Sequence, residues 1–451
     1  MSSIKNIENF YFVGIGGIGM SALARYFNLQ GKKVFGYDKT PSEITNTLIH
    51  EGITIQFKDE VSLIPELIQK NKNTLIVCTP AIPKNNKIIS WLNAKEYSIM
   101  KRSELLGEIS KNSICLAVAG THGKTTTSAI LGHLLASCNM PVTAFLGGVT
   151  ENYNSNLIYK GSEIIVVEAD EFDRSFLHLK PTIACITSMD ADHLDIYGTT
   201  SALEKTFIEF SKLVPDSNNL LFKKGLPLEG KTVSATENAD FEARNVRIEE
   251  GSYVFDLKTP SEEIKDLQFH LPGRHNMFNA LTALGMAILA GSPIDCLSKA
   301  LKDFKGVKRR FSYKIRTKNL VLIDDYAHHP TEINALHQAV TEMYPQNKKL
   351  IVFQPHLFSR TKDFGNEFAK SLSRFDEVIL LEIYPAREKP IEGVFSQWLL
   401  DKIENSNKKI VTKEDLSIEV KKSNCKVKLM VGAGDIGVEV ESVTKHLKDE
   451  D

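Results

Sequence analysis

The sequence predicts an α/β protein of three domains built on mostly parallel sheets, and three observations predict it. Its 451 residues exceed what one hydrophobic core serves, and at roughly 150 residues per domain they suggest three. Short apolar, β-rich runs recur between amphipathic stretches, the pattern of parallel strands covered by helices on both faces. Two glycine-rich turns each join such a run to the start of a helix.

In chain order, strands are expected over 11–15, 34–37, 75–79, 114–119, 164–168 and 183–187. Between about 220 and 270, the alternating polar and apolar residues of KTVSA, NVRIEE and SYVFDLK predict a small antiparallel elaboration with one solvated face. From 320 onward the α/β rhythm returns, with LVLIDD, KLIVFQ, EVILLE and VKLMVGAG as strands. The charged stretch 101–111 and the basic stretch 306–310 are the expected joints, giving domains over 1–107, 108–307 and 308–451.

Composition narrows the function. Hydrophobic residues make up 42% and charged residues 25% of the chain, with 27 Gly and 16 Pro, so folded structure is expected throughout. Lys plus Arg number 55 against 56 Asp plus Glu, which leaves no basic field for nucleic acid or an anionic membrane. Any anionic ligand must be gripped locally. No run approaches the roughly 20 apolar residues of a membrane span, and MSSIKNIENF lacks the apolar core of a signal peptide, so a cytoplasmic location is expected. Cys78, Cys115, Cys138, Cys185, Cys296 and Cys425 are scattered without a Cys-x-x-Cys pair. They are expected to be buried, reduced core residues, with neither a zinc site nor a disulfide framework.

Strand FYFVGI runs into Gly14-Ile15-Gly16-Gly17-Ile18-Gly19, a G-x-G-x-x-G turn opening a helix near Met20. Its glycines allow close backbone approach to a phosphate, which a helix N-terminus favours electrostatically. Asp38, about 20 residues on, stands where an acid meets a ribose hydroxyl. The turn suits a dinucleotide or another diphosphate ligand; alone it supports a nicotinamide-dependent dehydrogenase.

After ICLAVA comes Gly120-Thr121-His122-Gly123-Lys124-Thr125-Thr126-Thr127, then an amphipathic helix to about residue 135. Lys124 can reach the outer phosphates of ATP, successive N–H groups can cradle them, and the Thr125 hydroxyl can ligate Mg2+. The strict phosphate-loop pattern wants glycine where Val118 stands, so this is a shortened variant. EADEFD carries Glu168, Asp170, Glu171 and Asp173, and DADHLD carries Asp190, Asp192, His193 and Asp195. Acids at the carboxyl ends of neighbouring parallel strands converge on one crevice. Glu168 is the expected magnesium ligand. His193 is either a ligand to a second metal or a loop histidine, because magnesium prefers oxygen.

PGRHNMFNA opens a helix in which Asn276 and Asn279 stand one turn apart, fit to cap the helix or to read an adenine edge. Further on, GVKRRF places Arg309 and Arg310 at a joint, and DDYAHHP, FQPHLFSRT and GAGDIG close strands to give the third domain its own ligand edge.

GIGGIGMSALA, GTHGKTTT, EADEFDRSFLHLKP, DADHLDIYG, PGRHNMFNA, GVKRRF, DDYAHHPTE, FQPHLFSRT and GAGDIG, in that order, closely resemble the Mur ligases over the whole chain. The resemblance implies a Rossmann-like first domain, a central domain of the P-loop ATPase type and a Rossmann-like third domain. It implies UDP-sugar binding through Gly14, Gly16, Gly17, Ile18, Gly19, Asp38 and Arg102, with no nicotinamide. It implies ATP on Gly120, Thr121, His122, Gly123, Lys124, Thr125 and Thr126, adenine at Asn279 with its neighbour His275, and Mg2+ on Thr125, Glu168 and His193. Arg309, Asp325, His328 and Arg360 would reach ATP or substrate from the third domain. Within the family, the resemblance points to joining L-alanine to the lactyl carboxylate of UDP-N-acetylmuramate through an acyl phosphate, a step of peptidoglycan precursor synthesis. Lys124, His193, Arg360 and His328 would then be catalytic, with His328 or His329 the candidate base for the amine. The substrates are small molecules, and the expected state is a monomer or weak homodimer. The nearest rival is the recycling ligase that attaches a tripeptide to the same UDP-sugar. One departure from the family pattern is Leu357, where many relatives carry Arg; Arg360 would make that contact alone.

Overall fold

The computed structural model describes residues 4–71, 73–80, 82–83, 85–111, 113–190, 197–249, 252–386 and 388–448. Among the described residues three sheets form. The first holds β1 (Asn9–Val13), β2 (Lys33–Tyr37), β3 (Thr54–Gln56), β4 (Thr74–Cys78) and β5 (Ser98–Lys101) in the order β3-β2-β1-β4-β5, every pair parallel. Central β1 shows why its sequence is apolar without alternation: Phe10 and Phe12 enter one core while Tyr11 and Val13 enter the other.

The second sheet contains β6 (Ile114–Ala119), β7 (Val142–Thr150), β8 (Ser155–Tyr159), β9 (Ile164–Glu168) and β10 (Ile183–Ile186), continued by β11 (Leu220–Lys223), β12 (Lys231–Ser234), β13 (Phe241–Glu249), β14 (Ser252–Lys258) and β15 (Glu263–Phe269). Its order is β15-β14-β13-β12-β11-β10-β6-β9-β7-β8. The antiparallel elaboration expected from 220 is corrected where pairing is defined, because β11, β12 and β13 extend the sheet in parallel. Alternating polarity reports one exposed face, not strand direction. The β7–β8 pair is antiparallel.

The third sheet holds β16 (Ser312–Arg316), β17 (Val321–Asp325), β18 (Lys349–Phe353), β19 (Glu377–Leu380), β20 (Lys408–Ile410) and β21 (Val427–Val431) in the order β16-β17-β21-β18-β19-β20. Only the edge strand β16 runs antiparallel to its neighbour.

By contacts the chain forms two compact units: Met1–Val246 with Val254–Gln268 and Phe278–Phe304, and Arg247–Tyr253 with Phe269–Met277 and Lys305–Asp451. Within the first unit, the first two sheets share one core, where Tyr26 of the Ile18–Leu29 helix meets Phe145 of β7 edge-on at 5.2 Å between ring centroids. In the second unit, apolar clusters cover both faces of the third sheet.

Two further expectations are corrected. The Lys124–Ser137 helix is buried from Thr126 to Ala136 without a break, so no solvated stripe exists; β7 and the Ile294–Asp303 helix both pack on it. Cys138 at its end forms a disulfide with Cys296, with Cα atoms 5.6 Å apart across a separation of 158 residues. Sequence spacing carries no trace of such a pairing, because it depends on helix packing. Cys78, Cys115, Cys185 and Cys425 are free, and Cys78 is only partly buried. No helix among the described residues is long and apolar enough to cross a membrane.

Candidate active site

At the first turn, Gly14 and Ile15 donate their amides to the carbonyl of Tyr37, which bends the chain back over β2. Gly14 has φ +88°, and a Cβ there would lie 2.6 Å from Thr79 Cγ2, so only glycine fits. The following helix, Ile18–Leu29, has Gly17 as its N-cap and no side-chain cap, leaving its first amides to a ligand or solvent. Asn156 of β8 fixes that helix by donating to the carbonyl of Ile18 at 2.6 Å and to Ser21 Oγ at 2.9 Å. Asp38 Oδ2 accepts the Gly16 amide at 2.8 Å, so one carboxylate oxygen holds the turn itself. Arg102, which opens the Arg102–Ser110 helix, lies over the turn: a Cβ on Gly19 would sit 3.1 Å from its Nη1.

The second turn is tied to the end of β10. Thr121 and His122 amides donate to the carbonyl and hydroxyl of Ser188, and Thr121 Oγ1 donates to the Asp190 carbonyl at 2.9 Å. The His122 ring lies 3.5 Å from Asp190 Oδ2. Gly120 has φ +126°, and a Cβ there would fall 2.1 Å from Thr187 Oγ1. Gly123 has φ +84°, with Asn279 Oδ1 2.5 Å from where its Cβ would be, so Asn279 presses against the loop. Asn276 instead donates to the Pro272 carbonyl at 2.7 Å, which ties the helix's first turn to the chain before it; an N-terminal cap would accept a backbone N–H. Thr126 is buried in the helix's first turn.

Lys124 Nζ donates to both carboxylate oxygens of Glu171, at 2.7 and 2.8 Å, and to the Gly120 carbonyl at 2.7 Å. Burial opposes its charge, but Glu171, Asp170 and Glu168 hold it above the ordinary lysine range. Glu168 accepts from Thr125 Oγ1 and Ser128 Oγ, each at 3.0 Å, and from the Gly147 amide at 2.5 Å. Burial pushes this carboxyl up, against the pull of those donors and of Lys124. The pairing of a buried carboxylate with a hydroxyl suits a hard cation that keeps phosphate and water as its other ligands. No cluster of three or more His, Cys, Asp or Glu able to hold a metal occurs among the described residues. His193 lies outside the described residues.

One short loop serves both turns. Glu168 faces the Thr125 hydroxyl, Asp170 lies 4.0 Å from Arg102 above the first turn, and Glu171 holds Lys124 in the second.

In the second unit, Asp325 at the end of β17 accepts the amides of Phe311 and Ala327 at 2.7 and 2.8 Å. Burial raises its pKa to about 6 despite Arg310. Arg309 points into its own fold, donating to the Gly432 carbonyl at 2.6 Å, while both Arg309 and Arg310 stack on Tyr326. His328 Nδ1 faces the Tyr326 carbonyl at 2.9 Å and so carries the proton, which leaves the lone pair on Nε2. Burial lowers its pKa, with Glu332 opposing. His329 is the N-cap of the Pro330–Met343 helix, forming a capping box with Glu332, which removes it as a candidate base. Arg360 lies 3.5 Å from His356 Nδ1, and the His356 ring stacks on Tyr384. Burial brings His356, and likewise His275, down to about 4. Leu357 has φ +71° and donates its amide to the Tyr384 carbonyl at 2.9 Å.

The sequence did not single out Glu171 as the partner of Lys124, or Gly147, on an unrecognised strand, as a donor to Glu168. A Cβ on Gly147 would lie 2.5 Å from Glu168 Oε2.

Three family models match the chain: "Mur ligase family, catalytic domain" over 9–113, "Mur ligase middle domain" over 118–287, and "Mur ligase, glutamate ligase domain" over 309–435. The chain is 60% identical over 448 residues to the UDP-N-acetylmuramate--L-alanine ligase of Christiangramia forsetii, covering 99% of each. It is 60% identical over 445 residues to the enzyme of that name from Flavobacterium psychrophilum, again with 99% of each covered. A solved UDP-N-acetylmuramate-alanine ligase from Thermotoga maritima superposes with a TM-score of 0.83 at 27% identity, covering 98% of this chain and 100% of that one. The chain belongs to the Mur ligase family.

Proposed function

We propose that the protein is an ATP-dependent ligase that joins L-alanine to the lactyl carboxylate of UDP-N-acetylmuramate, giving UDP-N-acetylmuramoyl-L-alanine, ADP and phosphate. The observation that carries this reading is the loop 168–171, whose acids reach the cations of both glycine turns within one compact unit. Two phosphate-bearing ligands are thereby brought to one crevice. Whole-length relatives of that name at 60% identity support the choice of substrates.

In this reading the first turn, with Arg102 above it and Asp38 bracing it, holds the UDP diphosphate. The second turn holds ATP, with Lys124 on the outer phosphates and Asn279 toward the base. Thr125 and Glu168, with His193, would hold Mg2+, which when bound spreads the charge of the transferring phosphoryl group. A carboxylate resists attack by an amine. One lactyl oxygen therefore displaces ADP from the γ-phosphorus, leaving an acyl phosphate. The neutral alanine amine attacks the carbonyl carbon, its proton passes to His328 Nε2, and the tetrahedral intermediate expels phosphate carrying the lactyl oxygen. Arg360 and Asp325 serve the substrate edge of the third domain, which excludes water from the acyl phosphate on closure. Domains over 1–107, 108–307 and 308–451, and a cytoplasmic site of action, belong to the same reading.

Isotope transfer tests the chemistry. With the lactyl carboxylate labelled by oxygen-18, one label is expected in released phosphate; unlabelled phosphate would rule out the acyl phosphate.

A further inference from the structure

Lys124 is the cation of the second turn, and its ammonium is engaged by the protein itself. Glu171 takes it through both carboxylate oxygens at 2.7 and 2.8 Å, and Gly120 offers its carbonyl at 2.7 Å. The Glu171 side chain is 1% exposed and that of Lys124 17%, so solvent screens the pair poorly. Glu171 is also fixed in place: its carbonyl accepts the Tyr197 hydroxyl and the Arg174 amide. It stands apart from the metal-side carboxylate Glu168, whose oxygens are taken by Thr125, Ser128 and Gly147. Asp170, the third acid of the loop, turns toward Arg102.

We propose that Glu171 is a positioning residue that limits nucleotide affinity: it neutralises Lys124 in the empty loop, competes with phosphate for the ammonium, and retakes it as product leaves. An ammonium has three donors, so phosphate can replace Gly120 while one Glu171 oxygen stays bonded. The carboxylate then shares the cation with phosphate and repels it, which weakens the grip and speeds release. A residue that merely supports the loop would lower affinity when changed. A competing counter-ion raises it.

The inference rests on reading the second turn as the ATP site, and the test separates the two. Binding of the magnesium complex of the imido analogue of ATP is measured by calorimetry on the full chain, as wild type, Glu171→Gln, Glu171→Asp, Lys124→Ala and the double variant Lys124→Ala/Glu171→Gln. Glu171→Gln keeps an acceptor for Lys124 and removes the charge; it is expected to bind about tenfold tighter. Its KM for ATP and its kcat should fall together as ADP release slows. Glu171→Asp, with its carboxylate drawn back by one methylene, should show a smaller gain and carries the test if Glu171→Gln fails to fold. In the Lys124→Ala background the gain should vanish. Unchanged or weaker binding by both folded single variants would overturn the proposal, as would an equal gain without Lys124. Absence of binding by wild type would instead overturn the ATP-site reading.

Discussion

The two glycine turns are built alike and equipped differently. Each ends a buried central strand, passes through a glycine at positive φ and opens a helix that has no side-chain cap. The first carries no cation of its own; its positive group, Arg102, arrives from a helix more than 80 residues later in sequence, and Asp38 occupies one of its amides. The second carries Lys124 inside the loop, faced by Glu171 and beside the Thr125–Glu168 pair. A bare turn suits a ligand that is bound and kept. A turn with its own ammonium, hydroxyl and buried carboxylate suits a phosphoryl group that is transferred.

This contrast can be broken at several points. The largest effect is expected from Lys124→Ala, which should cut ATP-dependent phosphate release by about 10²–10³-fold while calorimetry still detects UDP-sugar binding. Loss of both would show that the turns are not separate sites. Gly147→Ala should push Glu168 out of place, because the new Cβ would meet Oε2 at 2.5 Å. Apparent Mg2+ affinity in the phosphate-release assay should fall by about 10–100-fold. Gly14→Ala acts on the first turn alone. Its φ of +88° and the 2.6 Å approach to Thr79 should weaken UDP-sugar binding by about tenfold, with nucleotide binding unchanged. The smallest effect concerns neither turn. His328 has its pKa lowered from 6.5, so it is neutral near pH 7 and protonates only as pH falls through that lower value. At saturating alanine the rate should therefore hold as pH falls from neutral, with the midpoint of its acid limb below 6.5, while nucleotide affinity stays level; a midpoint above 6.5 would exclude His328 as the base.

Much of this was legible in the sequence. Strands 114–119 and 164–168 coincide with β6 and β9, because continuous apolar runs flanked by turn residues leave little choice of structure. The turn that joins β6 to the Lys124–Ser137 helix was legible for a similar reason, since its glycines follow an apolar run directly. What the sequence hid was set by packing between distant segments. Cys138 and Cys296 meet through two helices far apart in the chain, and Gly147 reaches Glu168 only because β7 lies beside β9. Glu171 was visible as an acid, but its pairing with Lys124 depends on the course of the loop after β9. Of the paired histidines, His329 proved to be a helix cap, a role that Glu332 three residues later already permits. Of the paired arginines, Arg309 is turned inward onto Gly432, while Arg310 is the one whose charge acts on Asp325.

The most direct test of the account is phosphate release from Mg-ATP with UDP-N-acetylmuramate, compared for L-alanine, for the tripeptide L-Ala-γ-D-Glu-diaminopimelate and for no amine. Turnover that depends on L-alanine is expected. Turnover with the tripeptide alone, or silence in all three, would contradict it.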